Sequence, residues 1–364
     1  MSVYAARAKF WLFSILLAFV ALAPGWSAAD ERRDDRHGSH RPFDRIVVFG
    51  DSLSDPGNAF ALNAGQTISA PDYAMTGVAN GIPEVVTLIP EAPYASRRFS
   101  DGRTWIEVLA AEIGLASSAR PAVAGALIGE DDSRASNYAV GGATAADLSA
   151  LGGSQFHLAV QVDLFLSDFR NKAPSDALYV IAIGGNDIRA ALAAAQAGQD
   201  PMVVIGAALA SVANNIGKLQ HAGARDFLVW NAPDIGRAPA LQRLNVLAPG
   251  VAGLATFLSA GYNEKLQGVL HGLGALPGIT IVQFDTFGAL AAIQANPRKF
   301  DLRDATTACI QPNVPQFGFP SSPPFRCAQP DKHFFWDGIH PTRGGHRVIA
   351  DLVGKALREL VFDD

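Results

Sequence analysis

Metal-binding and dinucleotide-binding motifs are missing from this sequence of 364 residues. It contains no H-E-x-x-H sequence and no cluster of cysteine and histidine, which are common signatures of zinc sites. Gly272-Leu273-Gly274 does not follow a strand, and its spacing misses the dinucleotide fingerprint. The sequence therefore predicts a protein that works without a metal or an organic cofactor.

Charged residues are also scarce, at 17% of the chain, whereas hydrophobic residues make up 49% and the formal net charge is −5. This composition is typical of a globular protein with a sizeable core rather than a disordered chain. A mildly acidic balance gives no reason to expect nucleic acid or an anionic membrane as a partner.

The first 29 residues contain no acid and resemble an export signal. Arg7 and Lys9 precede an apolar run from Phe10 to Ala23, and Ser27-Ala28-Ala29 supplies the small residues of a cleavage site. A membrane anchor is the alternative, but the run is short for a hydrocarbon core of about 30 Å. We predict a signal peptide of residues 1–29, cleaved after Ala29, a flexible lead-in of residues 30–42, and a secreted or periplasmic protein.

Only two cysteines are present, Cys309 and Cys327. In an exported protein such a pair in a proline-rich loop is best explained as one disulfide, which would stabilise the fold by about 3 kcal/mol. The alternative, two reduced thiols that bind a metal, lacks further ligands at a suitable spacing.

Short β-branched apolar runs alternate with amphipathic segments along the rest of the chain. Near-continuous apolar strands indicate burial on both faces, as in a parallel sheet, and the alternation predicts a doubly wound α/β fold. The predicted strands are Arg45–Phe49, Leu178–Ile183, Asp226–Trp230 and Ile279–Phe284, and the predicted helices are Thr104–Ile113, Pro201–His221, Ala255–Leu270 and His346–Leu360.

With no repeat and no long linker, we predict a single domain over residues 43–364. Residues 59–98 and 302–332 are rich in glycine or proline and break the strand–helix rhythm. Long irregular segments of this kind commonly line functional sites, so we expect both to form walls around one.

Ser52 follows the first predicted strand within Gly50-Asp51-Ser52-Leu53, at the end of the sheet where α/β proteins bind ligands. A nearby helix N-terminus would stabilise negative charge on a reacting oxygen. The alternative is an ordinary capping or turn serine. The G-x-S-x-G nucleophile elbow is absent, so a catalytic serine here would use a different turn.

A second cluster lies near the C-terminus, in Trp336-Asp337-Gly338-Ile339-His340-Pro341. A serine needs a base to take its proton, and a histidine needs an acceptor that fixes its tautomer. Asp337 and His340 are three residues apart, so one turn of backbone could place them on the same face. The alternative is a capping aspartate beside a surface histidine.

Four sequence blocks, in order, resemble those of the GDSL (SGNH) esterases and lipases. They are Phe49-Gly50-Asp51-Ser52-Leu53-Ser54-Asp55 with Gly57-Asn58, Asn137-Tyr138-Ala139-Val140-Gly141-Gly142-Ala143-Thr144-Ala145, Ile183-Gly184-Gly185-Asn186-Asp187-Ile188, and Trp336-Asp337-Gly338-Ile339-His340-Pro341-Thr342. Arg98-Phe99-Ser100-Asp101-Gly102-Arg103, followed by Trp105, is similar to a feature of plant-type members and of bacterial phospholipase, lecithinase and hemolysin-like members. The resemblance implies a three-layer α/β/α, flavodoxin-like fold with a central, mostly parallel sheet of about five strands.

The resemblance also implies roles for five residues. Ser52 matches the nucleophile, Asp337 and His340 match the orienting acid and the general base, and Ser52, Gly142 and Asn186 match the three oxyanion donors. Asn186 could instead be a turn residue that tolerates unusual dihedral angles, and Gly142 a packing or turn glycine.

The leading hypothesis is an exported esterase or lipase that cleaves small-molecule or lipid esters through an acyl-enzyme on Ser52. It predicts transient contact with lipid surfaces and leaves the oligomeric state open. One alternative is a polysaccharide O-deacetylase with the same triad, which would need an open polar cleft rather than an apolar groove. A remote alternative is a non-catalytic exported binding protein of the same fold.

Overall fold

The structure, a computed structural model, describes residues 43–62, 97–123, 132–311 and 325–361. The predicted signal peptide, the lead-in and most of the segment 59–98 lie outside these ranges, as do residues 312–324 of the second irregular segment. All the described residues belong to one compact unit that spans Arg41–Asp364.

A parallel sheet in the order β1-β2-β3-β4 forms the centre of the fold. Its strands are β1 (Arg45–Gly50), β2 (Ala177–Ala182), β3 (Asp226–Trp230) and β4 (Thr280–Phe284). The side chains of β2 are all buried, which explains its uninterrupted apolar sequence. All four predicted strands are therefore present, with bounds that differ by one residue or not at all.

The expectation of about five strands needs a correction, since the described residues form four strands in this sheet. Residues 136–140 run parallel to β1 and replace a fifth strand through three backbone hydrogen bonds, Val48 N to Ser136 O, Tyr138 N to Val48 O and Val140 N to Gly50 O. On its other side this segment bonds to residues 118–122, so its backbone groups are satisfied without a further sheet partner.

Helices cover both faces of the sheet and give the expected three layers. They are α1 (Asn58–Leu62), α2 (Trp105–Glu112), α3 (Leu158–Asp168), α4 (Gly185–Gln196), α5 (Pro201–Ala222), α6 (Pro239–Leu247), α7 (Val251–Gly274), α8 (Thr286–Ala295) and α9 (Arg343–Val361). Alternate strand residues face opposite layers. Val47 and Phe49 contribute to the core under α3, α4, α5 and α7, whereas Ile46 and Val48 contribute to the core under α2, α8 and α9.

The predicted helices correspond to α2, α5, α7 and α9, and the structure extends the last two at their N-terminal ends. Helix α5 is long and apolar enough to cross a membrane, but one face of it, including Ile205 and Ile216, is buried in the core. Helices α1, α3, α4, α6 and α8 were not among the predicted helices. Of these, α4 begins at the second of two consecutive glycines, which are typical of a loop rather than of a helix start.

The described parts of the segment 302–332, residues 302–311 and 325–332, include short strands. These are β5 (Asp304–Ala308), β6 (Ile310–Gln311) and β7 (Phe325–Arg326), and β5 pairs in parallel with β8 (His333–Phe335). Strands β6 and β7 pair antiparallel, and the structure joins Cys309 to Cys327 beside them, with Cα atoms 4.8 Å apart. These pairings hold the chain that leads into Asp337 against the C-terminal core.

His346 connects α9 to α2 in the buried interior. Its ring is 1% exposed, and Nδ1 accepts a hydrogen bond from the backbone N–H of Trp105 at 3.2 Å. Burial, with a smaller contribution from the charge of His340, lowers the pKa of His346 from 6.5 to about 3. The folded protein therefore holds this ring neutral, as the hydrogen bond requires.

We predict that acid destabilises the protein through His346. Between pH 6.5 and about pH 3 this histidine takes up a proton in the unfolded chain but stays neutral in the folded protein. The stability contributed by neutral His346 is therefore full above pH 6.5 and declines below it. In urea titrations across this range, the free energy of unfolding of the wild type should fall more steeply than that of His346→Gln. Parallel curves for the two proteins would contradict this account.

Candidate active site

Ser52 lies in a tight turn immediately after β1. Gly50 ends the strand, and a Cβ there would lie 2.7 Å from the backbone oxygen of Ala182 on β2, so only glycine lets the two strands approach. The backbone N–H groups of Leu53 and Ser54 return to Asp51, one to its side chain and one to its carbonyl, each at 3.0 Å. This turn presents the Ser52 side chain, 8% exposed, to a cavity at the carboxyl edge of the sheet.

Helix α1, the first helix after Ser52, has its N-terminal N–H groups capped by Asp55. Helix α1 begins at Asn58, and Asp55 accepts hydrogen bonds from the N–H groups of Gly57, Asn58 and Ala59 at 2.6–3.0 Å. A carboxylate that already occupies these donors leaves them unable to stabilise a reacting oxygen. The helix terminus expected near Ser52 is therefore not that of α1, whereas the first turn of α4 lines the same cavity as Ser52.

The side chain of Gln161, in α3, binds the backbone at the end of β1. Its side chain is fully buried; Oε1 accepts from Gly50 N, and Nε2 donates to Gly50 O, both at 2.9 Å. Nε2 also donates to Phe156 O at 2.8 Å. Because buried backbone groups need partners, this one amide fixes the position from which the Ser52 turn starts. The sequence analysis did not identify Gln161, which belongs to none of the four blocks.

The structure brings Ser52, His340 and Asp337 into one hydrogen-bonded chain. His340 Nε2 lies 2.8 Å from Ser52 Oγ, and Nδ1 lies 2.6 Å from Asp337 Oδ2. Asp337 is fully buried and His340 is 1% exposed, which rules out the surface histidine of the alternative interpretation. With a proton on Nδ1 directed at the carboxylate, Nε2 is free to accept the serine proton.

Asp337 and His340 share a turn rather than a helix. Asp337 Oδ1 accepts from the backbone N–H groups of Ile339 and His340 at 2.8 and 2.7 Å, and α9 starts only at Arg343. One carboxylate thus shapes the turn with Oδ1 and orients the imidazole with Oδ2.

The segment Arg98–Arg103, singled out in the sequence, clamps this C-terminal turn. Ser100 Oγ donates to Pro341 O at 2.9 Å, and Asp101 accepts from the backbone N–H of Arg343 at 2.6 Å. The ring of Phe99 lies 5.3 Å from the His340 ring, between centroids. These contacts hold residues 99–101 against the turn that carries His340.

Asn186 lies in the first turn of α4 and lines the same cavity as Ser52. Its Nδ2 donates to Ala143 O, and its Oδ1 accepts from Arg189 Nη1, both at 2.9 Å. Two bonds therefore hold the amide plane, and Nδ2 carries a second N–H besides the one given to Ala143. Asn186 sits inside a helix and not at a positive φ, so the turn-residue alternative does not apply.

Gly142 lies in the loop 141–146 with φ of 78°, a left-handed conformation that glycine adopts easily. The loop is tied on both sides: Gly141 N donates to Asp55 at 2.8 Å, and the N–H groups of Ala145 and Ala146 donate to Asp187 at 2.8 and 2.9 Å. The positive φ agrees with the interpretation of Gly142 as a turn glycine. The role of its backbone N–H as an oxyanion donor stays a prediction.

Three buried aspartates lie around Ser52. Burial raises the pKa of Asp51 and Asp55 to about 6 and that of Asp187 to about 7, against the hydrogen bonds that they accept from backbone N–H groups. At neutral pH these groups carry less negative charge than ordinary surface aspartates would. Asp187 is therefore partly protonated at neutral pH, whereas Asp51 and Asp55 remain mostly ionised.

The cavity at Ser52 has a volume of about 870 Å³, including its open mouth. Ser52, Asn186 and His340 line it together, and apolar side chains line most of the remainder, among them Trp230, Phe284, Leu290, Ile293, Phe334 and Ile349. Across the described ranges, no group of three or more His, Cys, Asp and Glu side chains is placed to hold a metal ion. The cavity can accept an apolar chain whose polar end reaches the serine.

Residues 46–353 match the model of the GDSL-like Lipase/Acylhydrolase family. Among similar proteins is the GDSL esterase/lipase At3g50400 of Arabidopsis thaliana, 28% identical over 340 residues, with 86% of this chain and 87% of the relative covered. Two others from the same plant are At5g42170, 25% identical with 87% and 86% covered, and At2g27360, 29% identical with 86% and 84% covered.

We predict that Gln161→Leu destabilises the fold by about 2–3 kcal/mol, because it leaves the buried N–H of Gly50 and two carbonyl groups without this partner. Gln267→Leu makes the same change at an exposed position of α7 and should cost little. Urea unfolding of both variants measures the difference, and equal losses would contradict the role given to Gln161.

Proposed function

We propose that this chain, which belongs to the GDSL-like lipase/acylhydrolase family, cleaves carboxylic esters of apolar acids through a covalent acyl-enzyme on Ser52. The family and the names of its relatives support a serine ester hydrolase. The observation that carries the residue assignment is the hydrogen-bonded chain from Ser52 through His340 to Asp337, which opens on an apolar cavity.

In the proposed reaction, His340 Nε2 takes the proton of Ser52 as Oγ attacks the ester carbonyl carbon. Asp337 stabilises the imidazolium that forms, without itself taking the proton. The carbonyl oxygen becomes an oxyanion, and the proposed donors are the backbone N–H groups of Ser52 and Gly142 and the side-chain amide of Asn186. His340 then gives its proton to the leaving alcohol, and water repeats the sequence to release the acid.

The lining of the cavity favours acyl chains over sugars. A polysaccharide deacetylase needs polar partners for many hydroxyl groups, whereas this cavity is lined largely by aromatic and aliphatic side chains. Its polar residues include His340, which bonds to Ser52, and Asn186, which bonds to Arg189. All five predicted site residues are present, which gives no support to a non-catalytic binding protein.

We further propose that the protein is exported and folds as one domain over residues 43–364. Residues 1–29 have the pattern of a signal peptide, and the pairing of Cys309 with Cys327 suits an oxidising compartment. The mature protein would then be secreted or periplasmic and would need no cofactor.

Replacement of Ser52 tests the reaction. We predict that Ser52→Ala hydrolyses nitrophenyl esters about 10⁴-fold more slowly than the wild type, because the oxyanion donors alone give little rate. A fluorophosphonate probe should label the wild type at Ser52 and should label His340→Ala weakly. Full activity of Ser52→Ala would refute the mechanism, and strong labelling of His340→Ala would identify another base.

The dependence of the rate on the length of the acyl chain tests whether the cavity binds that chain. Each methylene of the acyl chain that enters it is worth about 0.8 kcal/mol, so kcat/KM should rise about fourfold per methylene from acetate towards octanoate esters until the cavity is full. Ile293→Phe narrows the cavity and should move this limit to shorter chains. Ile106→Phe enlarges a buried residue of the same core outside the cavity and should not. A flat profile, or equal shifts in both variants, would argue against acyl chains in this cavity.

A further inference from the structure

The hairpin formed by α6 and α7 carries no charged residue between Arg243 and Glu264. Within this stretch four large apolar side chains lie in contact with solvent: Val246 is 79% exposed, Phe257 71%, Leu247 57% and Leu254 37%. They make up half of the exposed large apolar side chains in the described part of the chain. We call these four residues the apolar tip.

The apolar tip lies on the two helices that flank a hydrogen-bonded turn. Asn245 Oδ1 accepts from the backbone N–H groups of Gly250 and Ala252, at 2.9 and 3.2 Å, and so closes the connection between the two helices. The opposite face of the hairpin is buried in the core through Leu244, Ala255 and Leu258. The exposed side chains therefore stand on a fixed support rather than on a frayed end.

The same hairpin forms one wall of the substrate cavity. Ala238 and Leu241, at the start of α6, line the cavity, as does Ile235 of the turn before it. Asp234 in that turn accepts a hydrogen bond from Thr256 Oγ1 of α7 at 2.7 Å. A surface that binds the apolar tip would thus lie against an element that is continuous with the cavity beside Ser52.

We propose that the apolar tip docks the enzyme on an uncharged lipid surface, so that acyl chains pass from that surface along the α6 wall towards Ser52. The inference rests on the proposed ester hydrolysis. Large exposed apolar side chains gain free energy when they enter an acyl-chain region, and a charge among them would oppose entry. The stretch lacks both the basic residues that would bind anionic lipid and the charges that would keep it in water.

Val246→Asp and Val203→Asp form a matched pair for the test, since both place a charge at an exposed valine, 79% and 71% exposed, and only Val246 belongs to the apolar tip. Flotation with phosphatidylcholine vesicles measures binding, with Ser52→Ala as the parent so that no lipid is consumed. We expect Val246→Asp to bind about tenfold more weakly, which corresponds to the loss of one buried valine, and Val203→Asp to bind like the parent. Phe257→Ser, a milder change, should weaken binding in the same direction.

Catalysis separates this inference from the proposed function. With Ser52 intact, Val246→Asp should hydrolyse dissolved nitrophenyl butyrate at the wild-type rate and emulsified triglyceride about tenfold more slowly. Ester hydrolysis by Ser52→Ala tests the proposed function alone: its loss supports that function, and its retention contradicts it. Vesicle binding tests the docking role separately, because it does not need the serine.

Three results would overturn the docking role. The first is unchanged vesicle binding in both Val246→Asp and Phe257→Ser, and the second is an equal loss in Val203→Asp. The third is a wild-type dimer that Val246→Asp converts to a monomer without any effect on vesicles, which would assign the apolar tip to a second copy of this chain.

Discussion

The candidate site depends on a small set of buried polar side chains that tie its loops to one another. Asp55 and Asp187 hold the loop 141–146 from two sides, and Gln161 holds the end of β1. Each of these side chains bonds backbone groups that would otherwise be buried without partners. Ser52 and Gly142 lie on these loops, and Asn186 of α4 bonds to Ala143 of the loop 141–146, so the same network of hydrogen bonds positions all three residues.

The ionised form of the buried aspartates is destabilised by burial. Burial raises the pKa of Asp187 to about 7, so its carboxylate is less stable inside the protein than in water, even with two N–H donors. His346 shows the reverse effect, a ring kept neutral by burial. The interior near the site therefore favours the uncharged form of both acids and bases. A low-dielectric setting of this kind strengthens the hydrogen bonds that align Ser52, His340 and Asp337.

In the proposed function, the turn before α6 and the start of α6 both line the substrate cavity and lie next to the hairpin that binds the lipid surface. The cavity runs from Ser52 past Trp230 and Phe284, and α6 closes it on the side that carries the apolar tip. Thr256 of α7 donates a hydrogen bond to Asp234 and so links this wall to the helix that carries part of the apolar tip. An enzyme so built can bind a lipid surface and open its cavity towards it without a large conformational change.

The sequence alone determined the local parts: the four strands, whose apolar runs are long enough to reveal burial on both faces, the family blocks, and Ser52, Asp337 and His340. It did not reveal α4, which starts at the second of two glycines, or the roles of Gln161 and Asp55, whose partners are backbone groups without a sequence signature. Only the tertiary structure decided that His340, 288 positions after Ser52, lies 2.8 Å from it, and that the cavity beside them is apolar. Distances between remote residues and the lining of a cavity arise from packing of the whole chain, which no local pattern encodes.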